Sequence, residues 1–305
     1  MINFIYALIP VVLITALGWL LAHRNFLPTE GWRAIERLVY FIFFPALIIN
    51  VLASASFEIV PWAMVLVLIG SQLALASLGL LAKRADDGPR KGSIVQSNVR
   101  WNTFVGLSIA SALFGEPGLA LMAIAVAVLT PTANVISVLA LTHFADQNGE
   151  KKTHVVMDMI RNPLIIGCMI GIAFNLLGIA PTGIAEKTLD ILGQATLALG
   201  LLVVGAAVDL EAFKRAGHST LTWSAVRLAG LPLVALAAGL LFSLPADSLA
   251  IVVIAAATPT ASSGYILARQ LGGDATLSAN LIAVQTVFSV VSMPAIYALY
   301  LLAQA

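Results

Sequence analysis

The sequence predicts an all-α polytopic membrane protein, and three observations predict it. Hydrophobic residues make up 60% of the 305-residue chain and charged residues 10%, where an ordinary soluble domain carries about 25% charged. Mean hydropathy is +0.99. The apolar residues also fall in long runs without the polar face that a soluble amphipathic helix presents.

Ten such runs can be marked, near 3–22, 33–52, 61–82, 94–114, 118–143, 157–178, 187–208, 218–243, 248–270 and 276–302. Each approaches the roughly 20 residues a helix needs to cross about 30 Å of hydrocarbon. The opening stretch, MINFIYALIPVVLITALGWLLAHRN, has no basic start and no small-residue cleavage site. It is read as a retained first span rather than a signal peptide. Thirteen of the sixteen basic residues fall on one side of the ten-span scheme: Arg24, Arg33, Arg37, Lys83, Arg84, Arg90, Lys91, Lys151, Lys152, Arg161, Lys214, Arg215 and Arg269. Lys187 lies on the other side, and Arg100 and Arg227 fall inside spans. Positive charge stays cytoplasmic, so both termini are expected outside, which an even number of spans allows.

The chain aligns with itself. At an offset of 153, Pro10, Gly18 and Pro28 meet Pro163, Gly171 and Pro181. At an offset of 158, Gly106–Val126 meets Gly264–Val284 with eight identities in 21 positions, and Glu116 meets Asp274. This divides the chain into 1–143 and 157–305. Five spans per half is an odd number, so the second half enters from the opposite face, the inverted-repeat plan of many secondary transporters.

Two stretches interrupt the apolar pattern, LTPTANV at 129–135 and ATPTASS at 257–263. The first is expected to break span five at Pro131 and the second span nine at Pro259, since proline removes a backbone donor and crowds the preceding turn. The repeat mate of the second is RWNTFV, 100–105, which places Arg100, Asn102 and Thr103 at matching depth in span four. Irregular backbone survives in a bilayer only where protein or a watery cavity covers it. Two broken helices meeting near the midplane therefore predict a substrate site, with Gly106, Pro131, Pro259 and Gly264 as crossover or hinge positions. Asn102, Thr103, Asn134, Arg100, Thr260, Ser262 and Ser263 are the candidate substrate-binding residues.

These residues also carry a resemblance. SNVRWNTFVGLSIASALFGEPGLAL (97–121), VLTPTANVISVLAL (128–141) and AAATPTASSGYILARQLGGDA (255–275) resemble the fourth, fifth and ninth spans of bacterial members of the auxin efflux carrier family. That family sits within the bile-acid, arsenite and riboflavin transporter-like group. The resemblance implies two inverted five-helix repeats, with scaffold helices at about 3–52 and 157–208. It implies a mobile transport domain at about 61–143 and 218–302, and elevator-type carriage of organic anions. The family's amides at the fourth-span crossover and in the fifth span correspond to Asn102 and Asn134. Where members often have proline two residues after the crossover glycine, Gly106 is followed by Leu107 and Ser108.

The remaining residues narrow the reading. Arg100 admits two accounts, an anion contact through its planar donor fork or a snorkelling side chain on a span that begins later. Arg227 is read as structural and distant from the broken segment. No carboxylate is evident at membrane depth, which disfavours a cationic substrate. Thr130 and Gln285, with unwound carbonyls, are a candidate sodium site, so Na⁺ or H⁺ coupling stays open. Gly167 and Gly171 are read as close helix packing rather than a dimer face. His23, His143, His154 and His218 fall in or beside loops and Cys168 is alone, so neither metal nor cofactor is expected. The net charge of +1 gives no basic patch for nucleic acid. No nucleophile–base pair or phosphate-binding loop is present, which argues against an enzyme and against an ATP-driven pump.

The expectation is a secondary carrier of a small organic anion in a bacterial inner membrane. The alternatives are a sodium-coupled symporter of the bile-acid type and a passive channel or membrane sensor. The lipid bilayer is its surroundings, and a homodimer through the scaffold is expected by analogy alone.

Overall fold

The computed structural model describes residues 1–55, 61–81, 88–145 and 162–304. Lys83, Arg84, Lys151, Lys152, His154, Asp158 and Arg161, with the expected start of span six at 157, lie outside the described residues.

Every regular element among the described residues is helical. The helices are α1 (Ile2–His23), α2 (Thr29–Leu38), α3 (Phe44–Ser54), α4 (Trp62–Leu80), α5 (Gly88–Val99), α6 (Thr103–Phe144) and α7 (Pro163–Leu176). They continue with α8 (Ile184–Ala206), α9 (Leu210–Lys214), α10 (His218–Ala225), α11 (Leu231–Leu241), α12 (Ala246–Ala257), α13 (Gly264–Gln270) and α14 (Ala275–Gln304). Wide π-helical turns, Val39–Phe43 and Val226–Gly230, join α2 to α3 and α10 to α11. Each lies just ahead of a proline, Pro45 or Pro232, whose ring crowds the preceding turn. Among the described residues, seven helical segments are long and apolar enough to cross a membrane, and α7 and α12 are shorter apolar helices.

One of the seven, Gly88–Phe144, has 57 residues. At 1.5 Å per residue a straight rod of that length would reach about 85 Å. It folds back instead. Arg100 hydrogen-bonds Asn134, and the Lys91 ammonium sits 5.1 Å from the Phe144 ring centroid. The reversal falls at Gly115, whose φ of 61° is open to glycine at little cost. The second half turns at Gly272 (φ 77°), one residue before the aligned partner of Gly115.

Small residues set the helix spacing. A β-carbon on Gly18 or Gly205 would collide with the Leu202 or Thr15 carbonyl, which fixes α1 against α8. Gly167 and Gly171 likewise lie against Pro45, Ile48 and Leu52 of α3, so that pair is an internal packing face. Asn175 at the end of α7 donates to the carbonyls of Leu52, Ala53 and Ala55 (3.0, 3.2 and 2.6 Å), closing the C-terminus of α3.

Two expectations need correction. α6 runs through Pro131 without a break, its one non-helical residue being Gly115. Proline frees the carbonyl of Ala127, four residues back, and next to it the Thr132 hydroxyl donates to Val128 O at 2.8 Å. The interruption of span four lies at residues 100–102, and Gly106 sits inside the first turns of α6. Its role is close approach: a β-carbon there would press on the Trp101 ring at 3.0 Å.

Candidate functional site

α5 and α12 end at Val99 and Ala257, positions separated by the repeat offset of 158. The chain then unwinds over residues 100–102 and 258–263 before α6 and α13 begin. The two unwound segments meet. The Asn102 amide donates to the Pro259 carbonyl at 2.8 Å.

Unwinding leaves carbonyls at the ends of α5 and α12 without helical donors, and long side chains from neighbouring helices meet them. Gln72 Nε2 of α4 donates to Val99 O at 2.7 Å and Leu129 O at 3.3 Å. Arg227 donates through Nε and Nη2 to Arg100 O at 3.3 and 3.2 Å, and through Nη1 to Ala256 O. Gln285 Oε1 of α14 accepts from Thr260 N at 3.0 Å, while its Nε2 donates to Ser97 Oγ at 3.0 Å. Gln96 Nε2 donates to Gly264 O at 2.8 Å. Arg227 and Gln285 are both 0% exposed. Each break is held open by side chains that bond its backbone groups, Gln285 also reaching the Ser97 hydroxyl.

A cavity of about 310 Å³ adjoins this crossing. One wall is Asn102, Thr103, Ser262 and Ser263 from the breaks; the other is aromatic, with Tyr40, Phe44, Trp101 and Phe104. Glu36 and Arg37 stand at its edge. Asn102 caps α6, its Oδ1 accepting from Val105 N at 3.2 Å, the role for which asparagine is favoured. Its Nδ2 is left without a hydrogen bond among the described residues, as are the hydroxyls of Thr103, Ser262 and Ser263. α6 therefore begins at the cavity wall, where its first amides have no helical acceptor and carry the positive end of the helix dipole.

Arg100 finds a partner within the protein. Its Nη1 and Nη2 donate to Asn134 Oδ1 at 3.3 and 3.0 Å. Among the described residues, the ion pairs join Arg90–Asp274, Lys214–Glu211 and Arg215–Asp209, and neither Arg100 nor Arg227 has a carboxylate partner. Two guanidinium groups thus sit at the crossing without a counter-charge among the described residues.

The expected residues divide by position. Asn102, Thr103, Ser262 and Ser263 share the cavity wall, with Arg100 and Asn134 paired to one another beside it. Thr260 is 2% exposed, off the cavity lining, and held through its backbone by Gln285. Both polar atoms of Gln285 are engaged, and Thr130 Oγ1 is buried without a partner among the described residues. Arg227 was expected away from the breaks; it touches both of them. Sequence reasoning also passed over Tyr40, Gln72 and Trp101. The signal available for Tyr40 was a spacing it shares with Arg227, since each precedes a proline, Pro45 or Pro232, by five residues.

A larger cavity of about 720 Å³ lies at the opposite ends of α3 and α8. It is lined by Asn50, Ser54, Glu116, Glu186, Lys187 and Asp190 and does not reach the breaks.

The chain matches the family described as "Membrane transport protein" over residues 3–297. It belongs to that family, the auxin efflux carriers. A protein described as an uncharacterized transporter, from Methanothermobacter thermautotrophicus (strain Delta H), is 25% identical to this carrier-family chain over 296 residues. The alignment covers 93% of this chain and 94% of that relative. The family member described here is a multi-pass membrane transporter and not an enzyme.

Proposed function

We propose that this transporter is a secondary carrier of a small organic anion, a carboxylate or auxin-like acid, working by elevator-type alternating access. The observation that carries the reading is the Asn102–Pro259 contact at the wall of a cavity with an open amide and three open hydroxyls. Its volume falls within the range of small-molecule sites, and its composition, mostly apolar with a few convergent polar groups, is typical of them. Arg100 and Arg227, uncompensated by acid among the described residues, favour a negative cargo, as do the first amides of α6. Three carboxylates around Lys187 in the larger cavity would repel the same cargo, so the smaller cavity is the binding site.

In this reading the chain crosses the bilayer ten times. Gly88–Phe144 supplies two crossings, and α7 and the α12–α13 pair supply the two beyond the long segments. Residues 1–143 and 157–305 are inverted repeats, with a scaffold of spans one, two, six and seven. The remaining spans carry the breaks and move as one body. By the distribution of basic residues both termini lie outside, and the smaller cavity opens toward the cytoplasm through Glu36 and Arg37.

A thermal-shift screen of the purified protein against short carboxylates and indole acids tests this, because a ligand of the folded state raises the melting temperature by mass action. Saturable stabilisation by an acid, lost in Asn102→Ala and in Asn134→Ala proteins that still fold, is the expected result. Counter-flow uptake of that acid into liposomes then separates a carrier from a channel. Undiminished stabilisation in both variants would remove the site.

A further inference from the structure

We propose that Arg227 occupies a latent monovalent-cation site at the crossing, acting as a tethered cation in place of a mobile one. In broken-helix transporters, unwound carbonyls and the C-terminal ends of half-helices are the groups that hold Na⁺. Here the C-terminal ends of α5 and α12 converge, and their carbonyls at Arg100 and Ala256 both accept from the Arg227 guanidinium. Gln72 Oε1 is a buried acceptor without a hydrogen-bond partner among the described residues. Gln72 and Arg227 line the same internal space of about 20 Å³, together with Val99 and Ala256. Carbonyl oxygens from two helix ends therefore meet a positive charge that comes from the protein itself. A lone buried guanidinium is costly unless its donors are met and its charge is useful in place. The carbonyl dipoles at two helix ends meet both conditions, since each end carries partial negative charge.

The guanidinium excludes Na⁺ both by filling the space and by like-charge repulsion. It moves with the crossing, so the carrier needs no sodium to assemble its site. This rests on the carrier reading only for the meaning of that independence. The test uses no organic anion, so it stands or falls separately.

Wild-type, Arg227→Ser and Arg227→Lys proteins are purified in parallel in sodium chloride and in choline chloride, and melting temperatures are compared. Wild type and Arg227→Lys are expected to melt at one temperature in both salts. Arg227→Ser is expected to melt lower than wild type in choline and to regain roughly 2–4 °C in sodium, or to fold in sodium alone. A saturable, sodium-specific rise in the wild type overturns the proposal. So does an Arg227→Ser protein that is indifferent to sodium, or one that folds in neither salt.

Discussion

The backbone of Asn102 donates to the backbone of Pro259 at 2.8 Å, a contact between residues that lie 157 apart in sequence. It joins the two places where helices stop inside the apolar core. Proline lacks an N–H but keeps a full acceptor, so Pro259 ends α12 and offers its carbonyl to the other break. Asn102 uses its own side chain to start α6. One residue ends a helix, the other begins one, and of the two Asn102 lines the cavity.

Because the Asn102 side chain has two ends with separate duties, its variants are expected to separate stability from binding. Asn102→Asp keeps an acceptor for Val105 N and should melt within a few degrees of wild type. It replaces the open Nδ2 with a carboxylate oxygen, so stabilisation by any organic acid should vanish. Asn102→Ala loses the cap as well and should cost about 1 kcal/mol. Chemical unfolding combined with the acid screen measures both effects. Equal acid stabilisation in wild type and Asn102→Asp would show that Nδ2 has no part in binding.

The pairing of Arg100 with Asn134 calls for a second substitution. Asn134→Asp supplies the missing counter-charge, so the protein should fold with stability close to wild type while the pull on an anionic ligand is cancelled. Asn134→Leu leaves the guanidinium without its acceptor and should be destabilised, by about 1.5–3 kcal/mol. A double-mutant cycle with Arg100→Gln is expected to give a coupling energy of about 0.5–3 kcal/mol. Additive effects would mean that the two side chains do not act together.

Most of the helical segmentation was legible because bilayer thickness imposes a length that hydropathy alone reveals. The second break was legible too, since ATPTASS combines proline with hydroxyl residues and α12 ends at its first residue, Ala257. LTPTANV looked alike and behaves differently. Its proline is carried inside α6, where the Thr132 hydroxyl bonds back to Val128, and composition does not distinguish a tolerated proline from a terminating one. Arg227 was misjudged for another reason. Its partner Arg100 is 127 residues away, and no local pattern encodes which carbonyl a long side chain will reach.

Close packing of α1 on α8 makes a stability prediction. A β-carbon on Gly205 meets the backbone of Thr15 and Trp19, and backbone yields less readily than a flexible side chain. Gly205→Ala should therefore lose about 1–3 kcal/mol, seen as a melting temperature several degrees lower. Gly70 on α4 has nothing within 4 Å of an added β-carbon, so Gly70→Ala should stay within about 0.5 kcal/mol of wild type. Equal behaviour of the two would contradict the tight α1–α8 contact.

Finally, the two cavities open at opposite ends of the same helices, which makes their sidedness testable. Cys168 is the sole cysteine in the sequence and is buried, so Cys168→Ser gives a clean background. In that background Ser263→Cys reports on the smaller cavity and Glu186→Cys on the larger. Reaction of a thiol depends on access and on the thiolate fraction, and a membrane-impermeant maleimide limits access to one face. Inside-out vesicles should label Ser263→Cys and spare Glu186→Cys, with right-side-out vesicles giving the reverse. Organic acid should slow labelling of Ser263→Cys alone, because only that position lies beside the open amide and hydroxyls. Labelling of both positions from one face would place the two openings on the same side and count against alternating access between the two faces.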